Sequence, residues 1–222
     1  MRPMQSPHDQ SRCWYALVAA ILAWLALGTQ LGIILASRFA SGASLMGGVL
    51  NFLSFFTVLT NILAAVTLTV SSRSAQGWMN QFFSRPTVLS GIAANIALVG
   101  IAYSLLLRHL WQPQGLQLLA DALLHDILPA LFLLYWLLFV PKGLLRWRDI
   151  LNWALFPAMY LVYALLRGAA FKLYPYPFID AERLGYAQVF VNSGGILVGF
   201  TGISVLLMVL DSRMGKNTAS ER

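Results

Sequence analysis

The stretch that decides the fold runs from Asn51 to Leu63 and reads NFLSFFTVLTNIL. It lies inside an apolar run from Val49 to Val70, about 22 residues, which is long enough to cross a bilayer as a helix. The stretch nevertheless carries hydroxyl and amide side chains. At about 100° per residue, Ser54, Thr57 and Asn61 fall within roughly 60° of one another. The sequence therefore predicts a membrane-spanning helix with one polar face, which either ties neighbouring helices together or lines a site.

The composition of the whole chain is that of an integral membrane protein. Of its 222 residues, 59% are hydrophobic and only 10% are charged, too few to cover the surface of a soluble domain of this size. The net charge of +7 comes from Lys and Arg at span ends and in the tails, which suits anionic lipid headgroups better than nucleic acid. Cys13 is the single cysteine, which excludes an intramolecular disulfide and a cysteine metal cluster. We expect no nucleic-acid partner, no metal and no cofactor.

The apolar runs predict an all-α bundle of six transmembrane helices in residues 13–211, between short tails at 1–12 and 212–222. The spans are predicted at 14–35, 49–70, 86–107, 116–140, 151–170 and 187–210. With six spans the two termini share a side, and that side holds ten of the Lys and Arg residues, Arg2 and Arg222 among them, against five on the other. This bias predicts that both termini are cytoplasmic.

Polar side chains from four spans are predicted to lie in the outer half of the membrane. At about 1.5 Å per residue, Thr57 lies roughly 12 Å below the outer end of the second span, and His125 lies about 13 Å below that of the fourth. Ionisable groups at such depth are costly and usually face the bundle interior, where they are paired or functional. The other spans contribute Arg167, Tyr163 and Asn192.

In the fourth span, Gln117, Asp121 and His125 repeat every four residues and share one helix face. Asp121 is placed to accept a hydrogen bond from one ring nitrogen of His125, which leaves the other nitrogen free as a base. A neutral His opposite a Thr hydroxyl is the minimum apparatus for nucleophilic acyl transfer, because the hydroxyl does not ionise unaided. Asp126 projects about 100° away and is the weaker partner.

Each of these residues also has a structural interpretation. Intramembrane Ser, Thr and Asn mostly bond to neighbouring helices or to their own backbone. Arg167 either snorkels to the headgroups or holds an anionic group such as a carboxylate or phosphate. The loop that contains Tyr174 and Tyr176 fits an interfacial aromatic segment stiffened by proline.

Three motifs carry a resemblance to known proteins. They are NFLSFFTVLTN at 51–61, HDILP at 125–129, and RGAAFKLYPYPFID at 167–180 followed by GYAQVFVN at 185–192. Together they resemble a family of bacterial six-span membrane proteins, and this resemblance implies a multi-pass protein of the bacterial inner (cytoplasmic) membrane. More remotely, the chain is similar to the androgen-induced and androgen-dependent membrane proteins, six-span hydrolases of fatty acid esters of hydroxy fatty acids. That similarity implies Thr57 as nucleophile and His125 as base.

Three function hypotheses follow. In the first, the protein is a membrane-embedded threonine hydrolase of a lipid or fatty-acyl ester in the bilayer: Thr57 attacks, His125 moves the proton and Asp121 orients His125. The residues expected to contact the substrate or the oxyanion are Ser54, Asn61, Tyr163, Arg167 and Asn192. In the second, the same polar pocket belongs to a non-enzymatic lipid- or small-solute-binding protein or carrier. A purely structural or partner subunit is a third reading.

Overall fold

The computed structural model describes residues 7–73 and 77–220. Within these residues, five helices are long and apolar enough to cross a membrane: Asp9–Ala40, Pro86–Leu110, Leu116–Phe139, Asp149–Phe171 and Ala181–Lys216. The described residues contain no strand, so the prediction of an all-α fold is confirmed, and the long apolar helices suggest a multi-pass membrane protein. Arg2 and Arg222, which entered the charge count above, lie outside the described residues.

The helices in chain order are α1 Pro7–Ala40, α2 Leu45–Phe52, α3 Phe56–Ser71, α4 Trp78–Phe83, α5 Pro86–Ala102, α6 Leu116–Ala122, α7 Leu128–Phe139, α8 Asp149–Phe171 and α9 Ala181–Ser220. A π-helical turn, Tyr103–Leu107, extends α5, and a second, Leu123–Ile127, joins α6 to α7. Short 3₁₀ turns follow at Arg108–Leu110 and Pro177–Ile179.

The prediction of one continuous helix over 49–70 is wrong. The structure has α2 and α3 there, bent by 76° at a break of three residues. The break contains neither Gly nor Pro, but the Ser54 hydroxyl donates to the Asn51 carbonyl at 2.6 Å, which competes with the helical backbone bond. The Tyr160 hydroxyl then donates to the Ser54 carbonyl at 2.9 Å and holds the turn from outside. With 16 residues, α3 is about 24 Å long and does not cross the hydrocarbon core unless α2 or the turn adds to it.

The bundle is organised around α5, which contacts α3, α7, α8 and α9 and is mostly buried. Pro86 starts this helix at a position where its missing N–H costs nothing. Small residues allow the close approach of its neighbours: a Cβ on Gly91 would lie 2.6 Å from the Trp153 ring of α8. Phe132 and Trp136 of α7 fill the same core, and the Trp136 indole donates to Ser90 at 2.7 Å.

The loop from Lys172 to Asp180 folds back over the end of α8. Lys172 ends that helix in the left-handed conformation, with φ 59°. The ring of Tyr174 then lies directly against Gly168, where an added Cβ would be 2.0 Å from the ring. Asn192 Nδ2 donates to the Phe178 carbonyl at 2.9 Å and ties the loop to α9. The loop is therefore a fixed part of the bundle, and it brings Tyr176 to the start of α3.

Candidate functional site

A cavity of about 280 Å³ lies between α1, α3, α6 and the π-helical turn after α5. All three residues predicted to be catalytic, Thr57, Asp121 and His125, line it. Gln117, which was predicted to share the face of Asp121 and His125, also lines the cavity and donates to Gln30 Oε1 at 2.8 Å. The structure therefore brings residues 64 to 68 positions apart in sequence into one polar site.

His125 is held in one tautomer by its own helix. Its Nδ1 lies 3.0 Å from the backbone carbonyl oxygen of Asp121 and 3.2 Å from the Asp121 carboxylate oxygen Oδ1. A carbonyl oxygen only accepts hydrogen bonds, so Nδ1 carries the hydrogen and Nε2 keeps a free lone pair. The imidazole side chain is 14% exposed and that of Asp121 is 6% exposed. This is the arrangement of a base whose orientation is fixed by a carboxylate.

Tyr103 is a member of the site that sequence reasoning missed. Its hydroxyl donates to Asp121 Oδ2, and its ring stacks on the His125 imidazole with centroids 3.8 Å apart and planes inclined by 15°. Tyr103 thus fixes both the carboxylate and the ring that the carboxylate orients. A single Tyr in an apolar span usually indicates a residue of the packed core. Nothing in the sequence spacing links Tyr103 to Asp121, which lies 18 residues further on in the next span.

The two π-helical turns meet at this point. Tyr103 begins the first turn and His125 is the middle residue of the second. Pro129 has no N–H, so the His125 carbonyl lacks its α-helical donor, which favours the wider turn before the proline. Gly100 makes room for that carbonyl, because a Cβ there would lie 3.0 Å from it. Such turns are frequent at functional sites.

Thr57 is the second residue of α3, and the end of this helix is capped from another part of the chain. Phe55, at the N-cap, contributes no side-chain hydrogen bond. Instead the Thr57 N–H donates to the Tyr176 hydroxyl at 3.2 Å, and Thr57 Oγ1 lies 3.3 Å from the same oxygen. The sequence marked Tyr176 only as part of an aromatic loop. Within the residues that the structure describes, no hydrogen bond joins Thr57 to His125.

Asn61 connects the nucleophile candidate to the helix of the base. It is wholly buried, and its Nδ2 donates to the Thr57 carbonyl at 2.9 Å and to the Leu124 carbonyl at 3.2 Å. The second and fourth predicted spans are therefore neighbours at the level of His125. Both amide hydrogens of Asn61 are engaged, so this side chain acts as a brace between helices.

The other residues expected to contact a substrate line neither this cavity nor the larger one described next. Ser54 is wholly buried in the turn between α2 and α3. Arg167 donates to the Leu173 carbonyl and, at 3.4 Å, to Asn51 Oδ1. Tyr163 lies against Tyr160 and is 41% exposed, and Asn192 bonds to the 3₁₀ turn of the loop. Ser54, Arg167 and Asn192 therefore bond to the turn and the loop beside the site.

A second cavity, of about 550 Å³, lies between α5, α8 and α9. Most of the side chains that line it are aliphatic or aromatic, for example Leu98, Leu161 and Phe200. Thr57 and Tyr176 line both cavities, so the start of α3 lies at the boundary between a polar site and an apolar one.

Asp126 is paired with Arg108 rather than with His125. The Arg108 guanidinium also lies 5.0 Å from the centre of the Tyr103 ring. The ion pair is about half exposed, so we assign it little stabilising energy. This agrees with the weaker role given to Asp126 from its position on the helix.

Comparison with protein-family models, with curated proteins and with solved structures finds no match to this chain. The resemblance to a hydrolase family stays a prediction, and a function has to be argued from the site itself.

Proposed function

We propose that the protein is a membrane-embedded hydrolase of lipid or fatty-acyl esters, with Thr57 as nucleophile and His125 as general base. One observation carries the proposal: a Thr hydroxyl and a His with a free Nε2, oriented by Asp121, line the same cavity. Nucleophilic acyl transfer requires such a hydroxyl nucleophile, a base and a group that orients the base.

In the proposed reaction the acyl group is transferred first from the ester to Thr57 and then from Thr57 to water. Oγ1 bonds to the acyl carbon while its proton passes to His125 Nε2, and the carbonyl oxygen takes the negative charge. The bond from the acyl carbon to the alcohol oxygen then breaks, and His125 returns the proton to the departing alcohol. Water, deprotonated by His125, next attacks the acyl-threonine and releases the acid and a protonated Thr57.

The start of α3 supports stabilisation of the negative charge. Thr57 lies in the first turn of a helix of 16 residues, where the helix dipole favours an anion. The Tyr176 hydroxyl accepts the Thr57 N–H and lies 3.3 Å from Thr57 Oγ1, so it is placed to donate its own hydrogen to a negative charge that forms beside Thr57. Preorganised donors of this kind are the usual means of stabilising an oxyanion.

The proposed reaction takes place in a specific membrane setting. We propose that α2 and α3 together form one broken span, giving six spans with both termini in the cytoplasm of a bacterial cell and the protein in its inner membrane. The charge bias of the sequence supports this topology, and α2 and α3 are together long and apolar enough to form one span. Cysteine accessibility at Met4 and at Gly42, which lies in the turn after α1, tests it.

One observation favours the second candidate, a lipid- or solute-binding protein or carrier. Thr57 Oγ1 is bonded to Tyr176 and His125 is bonded to Asp121, with no hydrogen bond between the two candidates for catalysis among the described residues. An apolar cavity beside a polar one also suits an amphipathic ligand that is only held. Solute flux in proteoliposomes that survives Thr57→Ala would favour this candidate.

The deciding experiment uses a fluorophosphonate probe and an ester substrate on the purified protein in lipid nanodiscs. We expect Thr57→Ala to abolish labelling and both Thr57→Ala and His125→Ala to abolish turnover. Thr67→Ala is the matched control, because Thr67 is a wholly buried Thr of the same helix whose hydroxyl bonds to the Leu63 carbonyl away from the cavity. Undiminished labelling or turnover in both Thr57→Ala and His125→Ala would overturn the proposal.

A further inference from the structure

The two cavities share one boundary, and their chemistry differs on its two sides. Thr57, Tyr103, Leu107 and Tyr176 line both. On one side, the cavity of about 280 Å³ holds the amides and ionisable groups of the site, with His125 among them. On the other, the cavity of about 550 Å³ is lined mainly by hydrocarbon. A molecule that reacts at Thr57 and fills both cavities therefore has a polar end and an apolar end.

The apolar cavity is a long slot that follows the helices. Along α8 it is lined from Leu151 to Leu161, and along α9 from Phe190 to Phe200, about 15 Å in each case. Leu151, Phe190 and Leu197 line the slot yet are 72%, 60% and 54% exposed, so it opens on the outer surface of the bundle. In a membrane that surface faces lipid tails. A straight hydrocarbon chain from the bilayer has both the chemistry and the shape to enter.

The return of the proton to the leaving alcohol determines which cavity holds the alcohol part of the ester and which holds the acyl part. His125 lines only the polar cavity, and in the proposed reaction it protonates the departing alcohol oxygen. The alcohol part must therefore be on the His125 side of Thr57, which leaves the apolar slot to the acyl part. The cavity of about 280 Å³ is about half the size of the slot, so it holds only a short alcohol part, and Gln30, Gln117 and Asp121 add polar groups to a lining that is otherwise largely apolar.

We infer that the substrate is an ester of a long-chain fatty acid with a short or polar alcohol, its acyl chain in the slot between α5, α8 and α9 and its alcohol part in the polar cavity beside His125. The orientation of the ester in this inference rests on the proposed hydrolase activity. It differs from what the sequence resemblance implies, where the alcohol part is itself a long hydroxy fatty acid.

Two ester series test the direction. Methyl esters of butyric, octanoic and palmitic acid vary the acyl part, while butyl, octyl and hexadecyl acetate vary the alcohol part. We expect kcat/KM to rise with acyl length by up to about fourfold per newly buried methylene. We expect it to fall at least tenfold across the alcohol series. A preference for the long alcohol would overturn the inference, as would equal rates throughout both series.

Gly194→Phe tests the slot itself, because Gly194 lines it and a Cβ there meets nothing within 4 Å. Gly199→Phe is the matched control: Gly199 is an exposed glycine of the same helix with equal free space, and it lines neither cavity. We expect Gly194→Phe to lower the ratio of palmitate to butyrate ester turnover at least tenfold and Gly199→Phe to leave it unchanged. Equal ratios in the two variants would overturn the inference.

A binding measurement separates this inference from the proposed activity. A diazirine-bearing palmitic acid is photocrosslinked to Thr57→Ala protein, and the labelled peptides are identified. Labelling of α8 and α9 that falls severalfold in the Gly194→Phe background supports the slot, even if the wild-type protein hydrolyses no ester. If Thr57→Ala abolishes hydrolysis but labelling is absent from α8 and α9, the slot assignment fails while the hydrolase proposal stands.

Discussion

The hydroxyl of Tyr176 accepts the backbone N–H of Thr57 at 3.2 Å, across 119 residues of sequence. The phenol ring is fixed on both sides, stacked on Phe178 with planes 7° apart and edge-on to Phe55. Burial raises the pKa of Tyr176, and its hydrogen bonds with Thr57 act in the opposite direction. A phenol of ordinary pKa is already protonated at neutral pH and the net shift is upward, so Tyr176 remains a donor beside the candidate nucleophile.

Tyr176→Phe is therefore expected to reduce catalysis more than binding. The ring and its stacking remain, while one donor to the oxyanion is lost, which we expect to lower kcat by about tenfold to a hundredfold with little change in KM. Steady-state kinetics on a soluble short-chain ester measures both constants. Tyr174→Phe, in the same loop but outside both cavities, serves as the control. An unchanged kcat in Tyr176→Phe would show that the hydroxyl only caps α3.

Tyr103→Phe tests the support of the base. The stack on His125 is retained, and the hydrogen bond to the Asp121 carboxylate is lost. Bonds to charged groups contribute about 1.5–3 kcal/mol, so we expect kcat to fall by about tenfold or more. Tyr103→Leu, which also removes the stack, should fall further, whereas Tyr15→Phe should have no effect because the Tyr15 hydroxyl bonds to the Leu131 carbonyl elsewhere. Equal activity in Tyr103→Phe and wild type would contradict a positioning role.

The fold was largely predictable because apolar runs of span length have few alternatives in a lipid solvent. The runs at 86–107, 116–140, 151–170 and 187–210 each lie on one of the long helices. The break between α2 and α3 was not predictable, because the turn depends on the Tyr160 hydroxyl, more than 100 residues away. The sequence prediction treated 49–70 as one helix and therefore placed Asn51 and Ser54 on the same helix as Thr57. In the structure Asn51 lies on α2 and Ser54 lies in the break.

The individual contacts of the site were predictable only where one helix contains both partners. Asp121 and His125 are four residues apart in one span, so their contact follows from helix geometry. Tyr103 and Tyr176 reach the site through tertiary packing, and no local pattern distinguishes them from other aromatic residues of the chain. Asn61 was correctly placed near Thr57, but its neighbours across the bundle, which decide its role, are invisible in the sequence.

Asn61→Leu distinguishes a brace from an oxyanion donor. Leu fits a wholly buried position of similar size but removes the bonds that link Thr57 to Leu124. Interhelical hydrogen bonds in membrane proteins contribute about 0.6–1.7 kcal/mol, so we expect Tm to fall by about 2–6 °C in detergent, with most of the activity of the folded fraction retained. Thermal unfolding followed by circular dichroism, together with kinetics below the transition, measures both. Loss of activity at an unchanged Tm would indicate direct action on the substrate.

Gly168→Ala tests whether the loop from Lys172 to Asp180 sets the site. The added Cβ would lie 2.0 Å from the Tyr174 ring, so the loop must move away from α8, and Tyr176 must move with it. In an unobstructed helix the same change is slightly stabilising, as expected for Gly32→Ala in α1, where a Cβ meets nothing within 4 Å. We expect Gly168→Ala to lower Tm, to increase amide hydrogen exchange in the loop and at Thr57, and to reduce fluorophosphonate labelling. Gly32→Ala should change none of these except for a small rise in Tm. Because Gly168 lines neither cavity, a loss of labelling in this variant arises through the loop. Normal hydrogen exchange together with normal labelling would show that the loop does not control the start of α3.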